Sequence, residues 1–294
     1  MEIRLLRAFV EADRRSTFSE AAVALSVTQP AFTKQIQQLE SLVGTALFRR
    51  GRHGAVLTAA GSALVSDARA IVDLAARFEA RAKRIGTGEE GHLTIGFGLS
   101  SIAIAPRVVA AFRANSPGVS VRLEDMSSAA QLDGVRNGDL DIAFARLPVP
   151  RDLRVVSVLS DHLALAYPDE WTPPADETAL SRWLDGHPLV QLSAARGPGL
   201  AAQVARHLLN LGAQPGIVQD ADDLQTVLAL VAAGVGAGIV PESAVNIAPR
   251  HVHMRRLDGE TASWRVGVIW RPDNETAVVR SFLGELAKLP RGEA

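Results

Sequence analysis

Ser16 to Glu40, STFSEAAVALSVTQPAFTKQIQQLE, reads as two short helices separated by a tight turn. Thr17 and Glu20 stand at capping-box spacing, so the Thr17 hydroxyl can accept from the Glu20 amide and mark where the first helix starts. Ala21, Ala22 and Leu25 give that helix an inward stripe. After Ser26 and Val27, Thr28 is placed to cap a second helix. Pro30 falls in its first turn, where amides have no intrahelical acceptor to lose. Phe32, Ile36, Leu39 and Val43 recur at spacings of four, three and four, which makes one buried face. Pro30, Thr33, Lys34 and Gln37 fall on the opposite side. Hydroxyl and amide groups can pair with base edges and lysine with phosphate or guanine, the mixture expected of a helix that reads a DNA major groove. A solvated two-helix corner is the plain alternative, since most polar helix faces only meet water.

Two further features favour DNA. Leu47-Phe48-Arg49-Arg50-Gly51-Arg52-His53-Gly54 sets three arginines and a histidine beside two glycines, just ahead of the apolar run Ala55 to Leu57. A basic wing of this kind can clamp phosphates or enter the minor groove, with an affinity that falls with salt. Charge is also segregated: residues 1–86 carry 13 Lys and Arg against 8 Asp and Glu, or +5, and residues 87–294 carry 18 against 24, or −6. The overall −1 therefore conceals two oppositely charged modules.

On these residues the N-terminal segment resembles the winged helix-turn-helix of LysR-type transcriptional regulators. The resemblance is carried by LLRAFVEA, the paired alanines followed by Leu25, VTQPAFTKQIQQLE, Gly44, LFRR and LTAAG. It implies that Gln29, Pro30, Thr33 and Lys34 face DNA, with Arg50, Arg52 and His53 on the wing. Thr28, which opens the helix, and Gln37, on the same face, complete the expected contact set. Arg49 departs from the family pattern, where an acid is common, and makes this wing more basic.

At 294 residues the chain has room for two or three domains, and no apolar run reaches the roughly 18 residues that span a bilayer. The N-terminus enters an acid-containing amphipathic helix instead of a signal peptide, so a cytoplasmic location without membrane contact is expected. The absence of cysteine removes disulfides, thiolate nucleophiles and Cys-ligated zinc. His251 and His253 alternate on an expected strand without an evident third ligand, so no metal is expected, and no cofactor. No Gly-x-Ser-x-Gly is present and no Ser-His-acid order can be supported, so an enzyme is not expected. Gly234-Val235-Gly236-Ala237-Gly238 lacks the Lys-Ser/Thr ending of a nucleotide cradle and reads as a helix-to-strand turn.

From Thr58 to about Ile85 the segment holds good helix formers, with one glycine and no proline. Leu64, Ile71, Leu74, Phe78 and Ile85 recur at roughly heptad spacing, a seam suited to a second copy of the chain. Gly86 to Gly91, with three glycines in six residues, reads as a hinge. Beyond it strands alternate with helices: strands at 92–97, 119–125, 141–145, 163–167, 189–192, 216–219, 238–240 and 264–270, and helices near 104–113, from Ser128, and near 178–184, 200–211, 224–233 and 275–289. The expected fold is therefore multidomain. An all-α winged helix-turn-helix occupies 1–58, a linker and dimerisation helix 59–86, a hinge 87–91, and an α/β two-lobed effector domain 92–294. Lobe I takes 92–160 and 265–294, lobe II takes 161–264, and the chain crosses near Ser160 and returns near Trp264.

Ligands of such folds sit at the carboxyl ends of strands against helix amino termini. That rule selects Leu99, Ser100, Ser101, Ser127, Ser128, Arg146, Ser193 and Arg196. Hydroxyls, helix-start amides and a guanidinium favour a small organic carboxylate or phosphate. For Arg146 the alternative is an ion pair with Asp222 or Asp223; for Ser100 and Ser128 it is simple helix capping. The family resemblance extends over this region. It implies a periplasmic-binding-protein-like domain with the effector in the interlobe cleft, and an arginine at the end of this strand where aromatic-derived acids are sensed. The expected partners are double-stranded promoter or operator DNA, a small organic acid, further copies of the chain as a homodimer or homotetramer, and RNA polymerase. A solute-binding protein, or an enzyme with an appended DNA-binding module, is the alternative.

Overall fold

The computed structural model describes residues 1–15, 17–51 and 54–288, with backbone alone at 50, 51 and 54. The chain divides into two compact units, Met1–Ile85 and Gly86–Ala294.

The first unit is helical apart from a two-stranded hairpin. Its elements are α1 (Ile3–Arg14), α2 (Phe18–Ala24), α3 (Gln29–Val43), β1 (Phe48–Gly51), β2 (Gly54–Leu57) and α4 (Ala59–Thr87). Thr17 Oγ1 accepts from the Glu20 amide at 3.2 Å, and Thr28 Oγ1 from the Ala31 amide at 3.4 Å. These caps start α2 and α3 where the spacing places them. Phe32, Ile36 and Leu39 are buried, whereas Val43 is 37% exposed, so the buried face of α3 stops a turn short of its end. An aromatic chain ties the hairpin to the helices: Phe18 meets both Phe32 and Phe48 at 5.4 Å, and Phe9 meets Phe48 at 5.6 Å. Edge-to-face contacts of this kind add to the burial of the rings themselves.

Helix α4 presses on the base of the hairpin at Gly61. A Cβ there would lie 2.2 Å from the Leu47 carbonyl oxygen and 2.9 Å from Leu57 Cδ2, so only a hydrogen fits. Past Val65 and Ala68 the helix buries little within its own unit, and Leu74 and Phe78 are 60% and 71% exposed. Gly86 lies inside α4 and Gly91 inside the next strand, leaving Gly88 and Glu89 between them. The expected hinge is thus a two-residue turn. Gly88 makes it at φ +77°, against the backbone of Ala277, a conformation that glycine adopts without cost to a side chain.

The second unit contains β3 (Glu90–Phe97), α5 (Ala105–Asn115), β4 (Gly118–Asp125), α6 (Ser128–Asn137), β5 (Ile142–Arg146), β6 (Arg154–Pro168), α7 (Glu177–Asp185) and β7 (Leu189–Leu192). It continues with α8 (Pro198–Leu211), β8 (Ile217–Ala221), α9 (Leu224–Ala232), β9 (Ala237–Pro241), β10 (Val252–Arg256), β11 (Ser263–Trp270) and α10 (Ala277–Lys288). The glycine run 234–238 carries the turn from α9 into β9 and ends inside the strand. Strand order is β4-β3-β5-β11-β6-β9-β7-β8, with β10 also on β6.

Strand β6 belongs to both lobes. Its first part pairs antiparallel with β11, from Arg154↔Trp270 to His162↔Ser263. Its second part pairs with β9, from Leu163↔Pro241 to Ala166↔Gly238, and with β10, from Ala164↔Arg256 to Pro168↔Val252. The chain therefore passes from one lobe to the other between His162 and Leu163, and returns where β11 begins. In each lobe three strands run parallel, β4-β3-β5 and β8-β7-β9. Their carboxyl ends carry the loops that lead to the helices.

Candidate functional site

On the first unit the structure presents α3 with Thr28, Gln29, Pro30, Lys34 and Gln37 exposed and Thr33 half-buried. The buried stripe turns this polar row outward. The hairpin follows from Glu40, whose Oε1 accepts from the amides of Leu47 at 2.8 Å and Phe48 at 3.1 Å. A carboxylate at the end of the reading helix thus fixes the first residues of the wing, a role the sequence reading did not give it. Arg50 lies on β1, opposite Ala55; Arg52 and His53 lie outside the described residues.

In the second unit some of the expected effector residues gather around Arg146 and others serve local structure. Ser127 is the cap of α6, accepting from the Ala130 amide at 3.3 Å. Ser128 is not a cap: its hydroxyl accepts from the Arg146 amide at 3.1 Å and ties the end of β5 to the start of α6. Ser101 is 1% exposed and its hydroxyl donates to the Gly98 carbonyl of its own turn, so it does not reach a ligand. Leu99 packs against a hydrophobic cluster of lobe II that includes Val227 and Val240. The Ser193 carbonyl receives the Arg196 and Gly197 amides, and the Arg196 side chain is exposed.

Arg146, Trp264 and Ser100 come together. Arg146 stands opposite Val266 in the register, so Trp264 is its diagonal neighbour on the sheet. The guanidinium carbon lies 3.8 Å from the Trp264 ring centroid, and Trp264 Nε1 donates to Ser100 Oγ at 3.3 Å. Cation–π stacking at a desolvated site is worth about 2 kcal/mol. Arg146 Nη1 also donates to the Gly199 carbonyl at 3.3 Å and to Gln203 Oε1 at 3.2 Å, both on α8. It does not pair with Asp222 or Asp223; its side-chain hydrogen-bond acceptors are the neutral groups of α8, in the other lobe.

Burial pulls the Arg146 pKa down to about 10, with the charge of Asp161 opposing and that of Arg206 adding. The group stays cationic at neutral pH, yet its charge is poorly solvated. Such a cation favours an incoming carboxylate strongly. Asp161, 4% exposed at the lobe crossing, accepts from Ser243 Oγ at 2.8 Å and from the His162 amide at 2.9 Å. These donors hold its carboxylate in place, and its charge stabilises the arginine at a distance.

His253, on β10, and His251, in the turn just before that strand, share one acid. His251 Nδ1 lies 3.0 Å and His253 Nε2 2.8 Å from opposite oxygens of Asp169. Among the described residues no group of three histidines, cysteines or acids is arranged to hold a metal. None of the described helices is long and apolar enough to cross a membrane.

Comparison with known proteins matches this division. Residues 3–62 match the bacterial regulatory helix-turn-helix proteins of the LysR family, and residues 86–290 match the LysR substrate binding domain. The chain is 30% identical to the HTH-type transcriptional regulator AlsR of Bacillus subtilis, over 96% of this chain and 94% of that protein. It is 31% identical to a probable cat1 operon transcriptional activator of Acinetobacter lwoffii, over 95% and 93%. Among solved structures, CbnR bound to its target DNA is similar with a TM-score of 0.77 and 28% identity, covering 98% of this chain and 99% of that one. With a reading helix and hairpin in one unit, a two-lobed α/β fold in the other and matches along nearly its whole length, the chain belongs to the LysR family of DNA-binding transcriptional regulators, and is not an enzyme.

Proposed function

We propose that the protein binds promoter or operator DNA through α3 and the wing, and that a small organic carboxylate in the interlobe cleft switches its activity. The observation that carries the switch is Arg146, a desolvated cation stacked on Trp264 whose present acceptors are neutral. A carboxylate offers that guanidinium a full charge and two oxygens. The aromatic floor favours an acid with an apolar body, an aromatic-derived one included. Ser100 and Ser128 flank the arginine and complete the site.

DNA reading rests on the exposed row Gln29, Pro30, Lys34 and Gln37 with Thr33, and on the basic wing. The exposed seam of Leu64, Ile71, Leu74, Phe78 and Ile85 fits a second copy of α4, so that two reading helices meet two half-sites. A dimer of such dimers, acting in the cytoplasm with RNA polymerase as a further partner, is the assembly this reading favours. An acid that binds one cleft arrangement better than another shifts the population between them and alters how the DNA is held.

The test is a melting-temperature screen of small carboxylic acids on the full chain, because a ligand that binds only the folded state must raise the midpoint. An acid that raises it in the wild type but not in Arg146→Ala supports the reading. An acid that stabilises both equally places the anion elsewhere.

A further inference from the structure

The cleft cation already has partners, and one of them has a second role. Gln203 is 7% exposed on α8, and its Oε1 accepts from Arg146 while its Nε2 donates to the carbonyls of Thr261 at 2.6 Å and Ser263 at 3.3 Å. The orientation of this amide follows from its neighbours: a guanidinium only donates and carbonyls only accept, so the oxygen must face Arg146. Ser263 opens the strand on which the chain returns between lobes, and Thr261 lies in the single turn just before it. One turn further along α8, His207 is 1% exposed and its Nδ1 lies 3.0 Å from Thr261 Oγ1, a second hold on the same residue.

We propose that Gln203 is a positioning residue that sets the Arg146 guanidinium over Trp264 and links it to the returning strand at Thr261–Ser263. The logic is that of a fully satisfied buried amide, in which every group depends on the others. When an anion takes the guanidinium, Gln203 Oε1 loses its donor. A buried carbonyl left without a donor is costly, so the side chain turns and loosens its hold on Thr261 and Ser263. Cleft occupancy is thereby reported to the segment that joins the lobes. The anion step rests on the reading of Arg146 given above, whereas the positioning role does not, and its test uses the ligand-free chain.

The chain has four tryptophans, so full-length protein labelled with 5-fluorotryptophan gives four fluorine resonances, with Trp264 identified by Trp264→Phe. Gln203→Ala is expected to move the Trp264 resonance, Arg146→Ala to move it as well, and the double variant to move it no further than Arg146→Ala alone. Gln203→Glu separates the two ends. It keeps an oxygen for Arg146 and restores the Trp264 resonance, but it has no N–H for the two carbonyls. Hydrogen exchange across residues 261–266 should therefore quicken on the order of tenfold in both Gln203 variants, the effect of losing two hydrogen bonds. A Trp264 resonance unmoved in Gln203→Ala, or exchange within twofold of wild type in Gln203→Glu, overturns the proposal. Gln203→Glu also decides the matter if Gln203→Ala does not fold. Failure of every small carboxylate to bind would count against the anion anchor and leave the positioning role standing.

Discussion

Glu40 offers a sharp test of how reading helix and wing are joined. Its Oε1 alone takes the amides of Leu47 and Phe48, at 2.8 and 3.1 Å, where the chain leaves α3 and enters β1. Glu40→Ala strands both donors in a partly buried position. An unsatisfied buried donor costs about 1–3 kcal/mol; taking the low end for partial exposure gives roughly 2 kcal/mol in all. For a unit of this size that is a fall in melting temperature on the order of 10 °C. Glu40→Gln keeps an oxygen at the same place and loses the charge, so its fall should be less than half as large. Because the wing is built on Phe48, the Ala variant should also lose phosphate contacts. Each lost contact makes the slope of log affinity against log salt shallower by about 0.9. Calorimetry of the full chain and binding to operator DNA at several salt concentrations read both effects. Melting within about 2 °C of wild type, with an unchanged salt slope, would refute the role given to Glu40.

Three further outcomes are expected. Replacing Thr33, Lys34 and Gln37 together with alanine should abolish discrimination between operator and random DNA in competition binding; preserved discrimination would remove α3 as the reading element. Ser26, at φ 53°, is the one non-glycine residue with positive φ among those described, so Ser26→Gly should raise stability by up to about 1 kcal/mol. A lower melting temperature would contradict it. His207 has its pKa lowered by burial, with Glu177 opposing. The unfolded chain therefore takes up the proton first: the stabilisation is complete above about pH 6.5 and is lost as pH falls through the depressed folded value. Melting of the wild type should drop below that pH by at most about 1.4 kcal/mol per pH unit for this group, and His207→Gln should flatten the profile.

The parts of the structure legible in sequence are those with local causes. Helix α3 announces itself through the Thr28 cap and the Phe32-Ile36-Leu39 period. The Leu163 to Tyr167 run reads as a strand because it lies between β9 and β10 and is apolar throughout. The earlier half of β6, from Arg154, escapes notice because it ends its lobe's sheet with β11 as its one neighbour, and many of its residues are partly exposed. Adjacent serines at 127 and 128 leave the cap ambiguous by one residue, and only the backbone decides that Ser127 takes it. At Arg146 strand-end logic finds the cation but not its partners, since Gln203 lies 57 residues away with nothing local to signal the contact. Glu40 closes the reading segment in sequence, yet its bond to the wing depends on a chain reversal at Gly44 that periodicity does not describe.

If Arg146 is the switch, an acid held there changes what the DNA-bound protein does. Nuclease footprinting on the DNA upstream of the gene, with and without an acid that raises the melting temperature, asks this directly. The wild-type footprint should change on adding the acid. Arg146→Ala should protect the same region without acid and show no change with it. Identical wild-type footprints in both conditions, or an acid response that persists in Arg146→Ala, would contradict the account.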